Sequence, residues 1–166
     1  LKDYFQPYSF DINMGCPVRK IVKDGAGAAL MLDEKKIEKI VNAAVKVCDR
    51  LTIKIRAGWS KTNLNYLKIA KIAEFYALSA ITIHPRTAVQ LYSGKADWTI
   101  VAELKNKISI PVIGNGDILT LSDFQEKIKL CDYCMIGRGI LYNPFLLKEI
   151  NENKNYAVSI EELKNF

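Results

Sequence analysis

The stretch Leu51–His84, LTIKIRAGWSKTNLNYLKIAKIAEFYALSAITIH, sets the architecture of this chain. Leu51 to Arg56 alternates apolar and polar residues and is rich in β-branched side chains, which predicts a strand. Asn63 to Leu78 carries Leu67, Ala70, Ala73 and Ala77 at helical spacing, which predicts a helix. Ala80 to His84 predicts a second strand. A strand, a helix and a strand in such short order form the crossover that joins parallel strands. Side-chain alternation puts Thr52, Lys54 and Arg56 on one face and Ile53 and Ile55 on the other. Thr82 and His84 likewise oppose Ile81 and Ile83. If the isoleucines pack on outer helices, Lys54 and His84 point toward the opposite side.

The same rhythm extends both ways. Upstream, Ser9 to Asn13 predicts a strand, and Asp33 can cap a helix bearing Ile37, Ile40, Val41, Ala44 and Cys48. Downstream come a helix from Trp98 to Lys105, a strand from Pro111 to Gly114, and a helix capped by Ser122 that runs through Leu130. A fifth strand spans Tyr133 to Ile136. Asn143-Pro144 opens a further helix, with Pro in its first turn, and Ser159 to Glu162 resembles a capping box. The whole reads as an α/β chain with a parallel sheet, uninterrupted by low-complexity segments.

Composition sets bounds on this reading. A chain of 166 residues has room for one ordinary domain, and 49% hydrophobic with 25% charged residues excludes wholesale disorder. No apolar run approaches the ~18 residues of a membrane span. The net charge of +6 admits a polyanionic partner, but the basic residues are spread out apart from Arg19, Lys20 and Lys23. The four cysteines, Cys16, Cys48, Cys131 and Cys134, read as reduced thiols of a cytoplasmic protein. Cys131-Asp-Tyr-Cys134 leads into a strand rather than a helix, and His84 is the chain's one histidine. The pair is therefore read as core, and no metal set is expected. Cys16 differs from the others because it stands between Gly15 and Pro17, just past a strand.

The chemistry collects at the strand ends. The first strand ends in Asn13, followed by Gly15 and Cys16; the second carries Lys54 and Arg56; the third ends in His84 and is followed by Arg86. The fourth leads into Asn115-Gly116-Asp117 and the fifth into Gly137-Arg138-Gly139. In βα barrels and doubly wound sheets this edge holds the active site. The two Gly-x-Gly turns let backbone N–H groups approach an anion, and Arg138 adds a charged donor. A lone Gly-x-Gly is equally explained by turn chemistry. No G-x-G-x-x-G is present, so a Rossmann fingerprint is not supported.

With these residues in view, the chain resembles the tRNA-dihydrouridine synthases. The matching blocks are Asp11 to Lys20 (DINMGCPVRK) and Lys23 to Met31 (KDGAGAALM), then Ile53 to Trp59 (IKIRAGW). His84-Pro-Arg-Thr87 follows, with Gln90, Tyr92, Gly94 and Asp97-Trp98, then Pro111 to Asp117 (PVIGNGD), Met135 to Gly139 (MIGRG) and Asn143-Pro144. The first block is the most specific, and the last two are shared more widely among FMN barrels. Pro85 stands where many relatives carry Gly.

The resemblance implies a TIM (β/α)8 barrel that binds FMN, followed by a small helical domain. It implies reduction of specific uridines in tRNA to 5,6-dihydrouridine, with NADPH reducing the flavin, hydride passing to C6 and Cys16 giving a proton to C5. A thiol is mostly protonated at neutral pH yet ionises readily, which suits that role. The base would be turned out of the tRNA fold to reach the flavin. Lys54 and His84 would contact the flavin ring. Asn115, Gly116 and Asp117, with Gly137 and Arg138, would hold its ribityl phosphate. Asn13 would lie beside the uracil and flavin, Arg19, Lys20 and Lys23 would meet the tRNA, and Arg86 would do the same or help hold the phosphate. For the basic residues near Cys16 a solvated loop is the plain alternative.

Five strands cannot close an eight-stranded barrel. The Pro-Met-Ala type loop and the Gln that open the family's barrel are not present here. The expectation is therefore an internal segment: residues 1–150 as a partial FMN-binding TIM-barrel catalytic domain, and residues 151–166 as the start of a C-terminal helical region. A monomer is expected, as is an isolated fragment that lacks activity. Two other readings stand beside this one. One is an FMN barrel acting on a small molecule, of the dihydroorotate dehydrogenase or ene-reductase kind. The other is a non-catalytic RNA-binding fragment without flavin.

Overall fold

The computed structural model describes residues 7–156. Five parallel strands form its sheet: β1 (Phe10–Met14), β2 (Leu51–Arg56), β5 (Ala80–His84), β6 (Val112–Asn115) and β7 (Tyr133–Met135). They lie side by side in chain order, so each crossover returns to the neighbouring position. That is the pattern of a barrel wall. Three longer helices lie on the crossovers, α2 (Glu34–Val45), α3 (Tyr66–Phe75) and α4 (Trp98–Lys107), with the shorter α5 (Leu121–Lys127) before β7.

The isoleucine faces read from the sequence form the core. Ile53, Ile55, Ile81 and Ile83 are fully buried, together with Ile37 and Val41 of α2, Ile69 and Ala70 of α3, and Val101 and Leu104 of α4. Each fully buried aliphatic side chain contributes about 1.5–3 kcal/mol of transfer free energy. Gly114 brings β6 close to α4: a Cβ there would stand 2.4 Å from the Trp98 ring.

Several boundaries differ from the sequence reading. The helix expected from Asn63 begins at Tyr66, because Asn63–Leu64 (β4) pairs antiparallel with Gly58–Ser60 (β3) in a small hairpin. Thr120, not Ser122, caps α5. Its hydroxyl accepts from the Asp123 N–H and the Asp123 carboxylate accepts from the Thr120 N–H, a reciprocal capping box. After β7 come α6 (Gly139–Tyr142) and α7 (Leu146–Glu152). The N-cap of α7 is Phe145, so Pro144 precedes the helix instead of sitting in its first turn. Two short elements between β1 and α2 were not expected, α1 (Arg19–Lys23) and a 3-10 segment, Gly27–Leu32. The expected capping box at Ser159 lies outside the described residues. Among the described residues, no helix is long and apolar enough to cross a membrane.

Candidate active site

Parallel register brings the strand-end residues level with one another. Asn13 pairs with Lys54 and Lys54 with Thr82; Arg56 pairs with His84, and Asn115 with Met135. Beyond this row opens a cavity of about 670 Å³. Its walls include Asn13, Cys16, Arg19, Lys54, His84, Asn115, Gly116, Asp117, Gly137 and Arg138. Residues from all five strand ends thus meet in one place. Lys20 and Lys23 stand on the exposed helix α1, outside the wall, next to Arg19.

The turn carrying Cys16 is held from both sides. The Asn13 carboxamide Oδ1 accepts the N–H of Gly15 at 3.1 Å and that of Cys16 at 3.0 Å. This is the local side-chain capping that lets Asn end a strand in a tight turn. From the other side the Cys16 carbonyl accepts the Ala28 N–H at 2.8 Å. Gly27 permits that approach. Its φ is +57°, and a Cβ there would meet the Cys16 carbonyl oxygen at 2.6 Å. Cys16 itself is half-buried, with its neighbours in the cavity wall.

Arg56 completes the support, although it was not among the site residues expected from sequence. It is 3% exposed. Its Nε donates to the Gly15 carbonyl at 2.9 Å, and its Nη1 donates to the carbonyls of Thr87 and Leu91 at 2.9 and 2.8 Å. One guanidinium therefore ties the Cys16 turn to the loop after β5. The signal was present in the period-two pattern, since Arg56 shares its face with Lys54.

Arg86, expected to meet the tRNA or to help hold the phosphate, is 2% exposed. Its Nη1 and Nη2 donate to the two Asp117 carboxylate oxygens at 2.9 and 2.8 Å, and Nε and Nη2 donate to the carbonyls of Ser93 and Gly94. A guanidinium so occupied has little left for a phosphate. Asp117 is correspondingly engaged: it also accepts the Ala96 N–H at 2.8 Å and lies 3.5 Å from Arg138 Nη2. Burial alone would raise its carboxyl, but the Arg86 and Ala96 hydrogen bonds hold it below the usual carboxylate range. Asn115 Nδ2 donates to the Met135 carbonyl at 2.7 Å, linking the ends of β6 and β7.

Electrostatically the cavity favours an electron-rich guest. Burial, followed by the charge of Arg56, lowers the Lys54 ammonium from its ordinary value; Asp11 offsets part of this. Lys54 has no hydrogen-bond or ion-pair partner among the described residues. Burial, with Arg56, Lys54 and Arg86 close by, pushes His84 down to about 3, so its imidazole is neutral at pH 7. His84 Nδ1 is buried without a hydrogen-bond partner. A buried nitrogen left so costs about 1–3 kcal/mol, a cost that a polar ligand group in the adjoining cavity would relieve. Tyr92 lies at the rim, its ring 4.4 Å from the Arg138 guanidinium carbon and edge-on to His84. Beside Gly137 there is open space: a Cβ there would meet nothing within 4 Å.

Parallel strands in chain order, with a cavity across their C-terminal ends, define a TIM-barrel protein. Within that class the chain belongs to the dihydrouridine synthase (Dus) family, which it matches over residues 6–163. It is 41% identical over 144 residues to the probable tRNA-dihydrouridine synthase of Rickettsia bellii, covering 85% of this chain and 44% of that protein. It is 39% identical over 144 residues to tRNA-dihydrouridine synthase B of Pseudomonas aeruginosa, covering 85% of this chain and 43% of that protein. The chain thus spans less than half the length of these relatives. Among solved structures it resembles an old yellow enzyme homologue from Zymomonas mobilis, with a TM-score of 0.56 and 13% identity. That match covers 78% of this chain and 39% of the other, and it shows the fold alone.

Proposed function

We propose that this chain is part of an FMN-dependent tRNA-dihydrouridine synthase, in which Cys16 would face a uracil lying over a flavin held at the strand ends. The observation that carries this is the convergence of Cys16, Lys54, His84 and Arg138 on one cavity in a chain of the Dus family. The unpartnered His84 Nδ1, the unpartnered Lys54 and the open space at Gly137 fit a bound flavin nucleotide. When bound, FMN reduced by NADPH supplies hydride to C6 of uridine. Lys54 would lie along the carbonyl edge of the ring, where a cation favours added electron density. His84, neutral at working pH, would hydrogen-bond without adding charge. Arg138, oriented by Asp117 and stacked on Tyr92, would grip the phosphate. The side chains of Asn115 and Asp117 already bond within the protein, so backbone amides of their turn would provide the anion contacts.

Cys16 would deliver the proton to C5, positioned by Asn13 and Arg56. Asn13 Oδ1 is engaged in the turn, which leaves its amide nitrogen as the donor available to a uracil carbonyl. Arg19, Lys20 and Lys23 would meet the tRNA backbone as the base is turned into the cavity. The enzyme is read as cytoplasmic and monomeric. The test is nucleoside mass analysis of tRNA lacking dihydrouridine after incubation with the full-length protein, FMN and NADPH. Uridine gaining two hydrogens supports the reading. Flavin-loaded protein that leaves such tRNA untouched while rapidly reducing orotate or an enone overturns it.

A further inference from the structure

Cys131 and Cys134 take no part in the cavity and pack, partly buried, against the hydrophobic core, as the sequence suggests. Their sulfurs lie 3.7 Å apart, and both side chains are half-buried. The contact is built by the surrounding fold. Cys131 lies two residues before β7, and Cys134 lies within it, paired with Gly114 of β6. Gly114 leaves room for sulfur, since a Cβ there would stand 3.2 Å from Cys131 Sγ. Asp132, between the two, accepts the Val112 N–H at 2.8 Å and an ion pair from Lys105 at 2.5 Å, which fixes the bend that turns the thiols toward each other.

We propose that Cys131 and Cys134 are a reversible dithiol site that reacts with small peroxides to form an intramolecular disulfide. The geometry is suited to this because two thiols in contact need only a small side-chain rotation to bond, whereas distant thiols need backbone movement. Cys131 is the attacking group. The hydrogen bond from Cys134 leads the effects that push its thiol down to about 7, and the same sharing, with burial, holds Cys134 up. The Cys131 thiolate sulfur attacks one peroxide oxygen, the O–O bond breaks, and one water leaves after protonation, giving a sulfenic acid. The Cys134 sulfur then attacks that sulfur, the S–O bond breaks, and a second water leaves. Two thiols and one hydrogen peroxide thus give one disulfide and two waters. A small thiol restores the pair by exchange.

Cys131 and Cys134 share one tryptic peptide, Leu130–Arg138, that contains neither Cys16 nor Cys48, so mass spectrometry can localise the reaction. The purified full-length protein, reduced and freed of reductant, is treated with hydrogen peroxide at pH 7, alkylated and digested. The expected result is loss of two hydrogens from Leu130–Arg138, reversed by dithiothreitol and absent in Cys134→Ser, where dimedone instead labels Cys131. At pH 7 the native pair is expected to react about fivefold faster than in urea, the net of more thiolate and lower intrinsic nucleophilicity. Both cysteines remaining fully alkylatable while Cys16 or Cys48 oxidises would overturn the proposal, as would equal rates in urea. None of these readouts depends on flavin or tRNA.

Discussion

Asn13 and Gly27 determine where the Cys16 thiol stands, although neither does chemistry. Replacing Asn13 with Ala removes the acceptor for two N–H groups in the turn. The expected cost is about 1–3 kcal/mol, read as a lower Tm. Gly27→Ala places a methyl group 2.6 Å from the Cys16 carbonyl at a positive φ, so it is expected to destabilise by about 1–3 kcal/mol. It should also alter the rate at which iodoacetamide alkylates Cys16. That Cys16, Lys54, His84 and Arg138 meet at one cavity was legible in the sequence because each lies within three residues of a strand end. The different fates of Arg56 and Arg86 were not. Both are arginines beside a strand end, and only the fold shows that one supports the Cys16 turn while the other is consumed by Asp117.

At the scale of elements, hydrophobic period identified every strand of the main sheet, and cap chemistry decided the boundaries. Asp33 caps α2 as its sequence context suggests, accepting the Lys36 N–H at 2.9 Å. For α5 two hydroxyl residues competed. Thr120 wins because Asp123 three residues on returns the hydrogen bond. Thr120→Ala is therefore expected to lower stability by about 1 kcal/mol and Ser122→Ala to leave it nearly unchanged, by thermal melts of the two variants. The hairpin of β3 and β4 was not legible. Its two strands are only three and two residues long, too short for any alternation to mark them, and its close approach rests on Gly58, where a Cβ would meet the Asn63 carbonyl oxygen at 2.1 Å.

At the scale of the whole molecule, the barrel wall gathers cations around a neutral histidine, and this has a consequence for stability. His84 titrates near its ordinary value of about 6.5 when unfolded, but at about 3 in the native protein. Between these values the unfolded chain binds the extra proton, so stability is lost as pH falls from about 6.5 toward 3. His84→Asn is expected to flatten that part of the stability–pH curve, measured by urea unfolding at successive pH values. The central claim, that Cys16 delivers the proton, is tested most directly by anaerobic single turnover of the full-length flavoprotein. The flavin is reduced beforehand, tRNA lacking dihydrouridine is added, and the return of absorbance near ~450 nm is followed. Proton transfer by a positioned side chain contributes about 10²–10⁴-fold. The account expects Cys16→Ala to keep its flavin and to slow this return by at least ~100-fold. A Cys16→Ala protein that regains absorbance at the wild-type rate while forming dihydrouridine would contradict it.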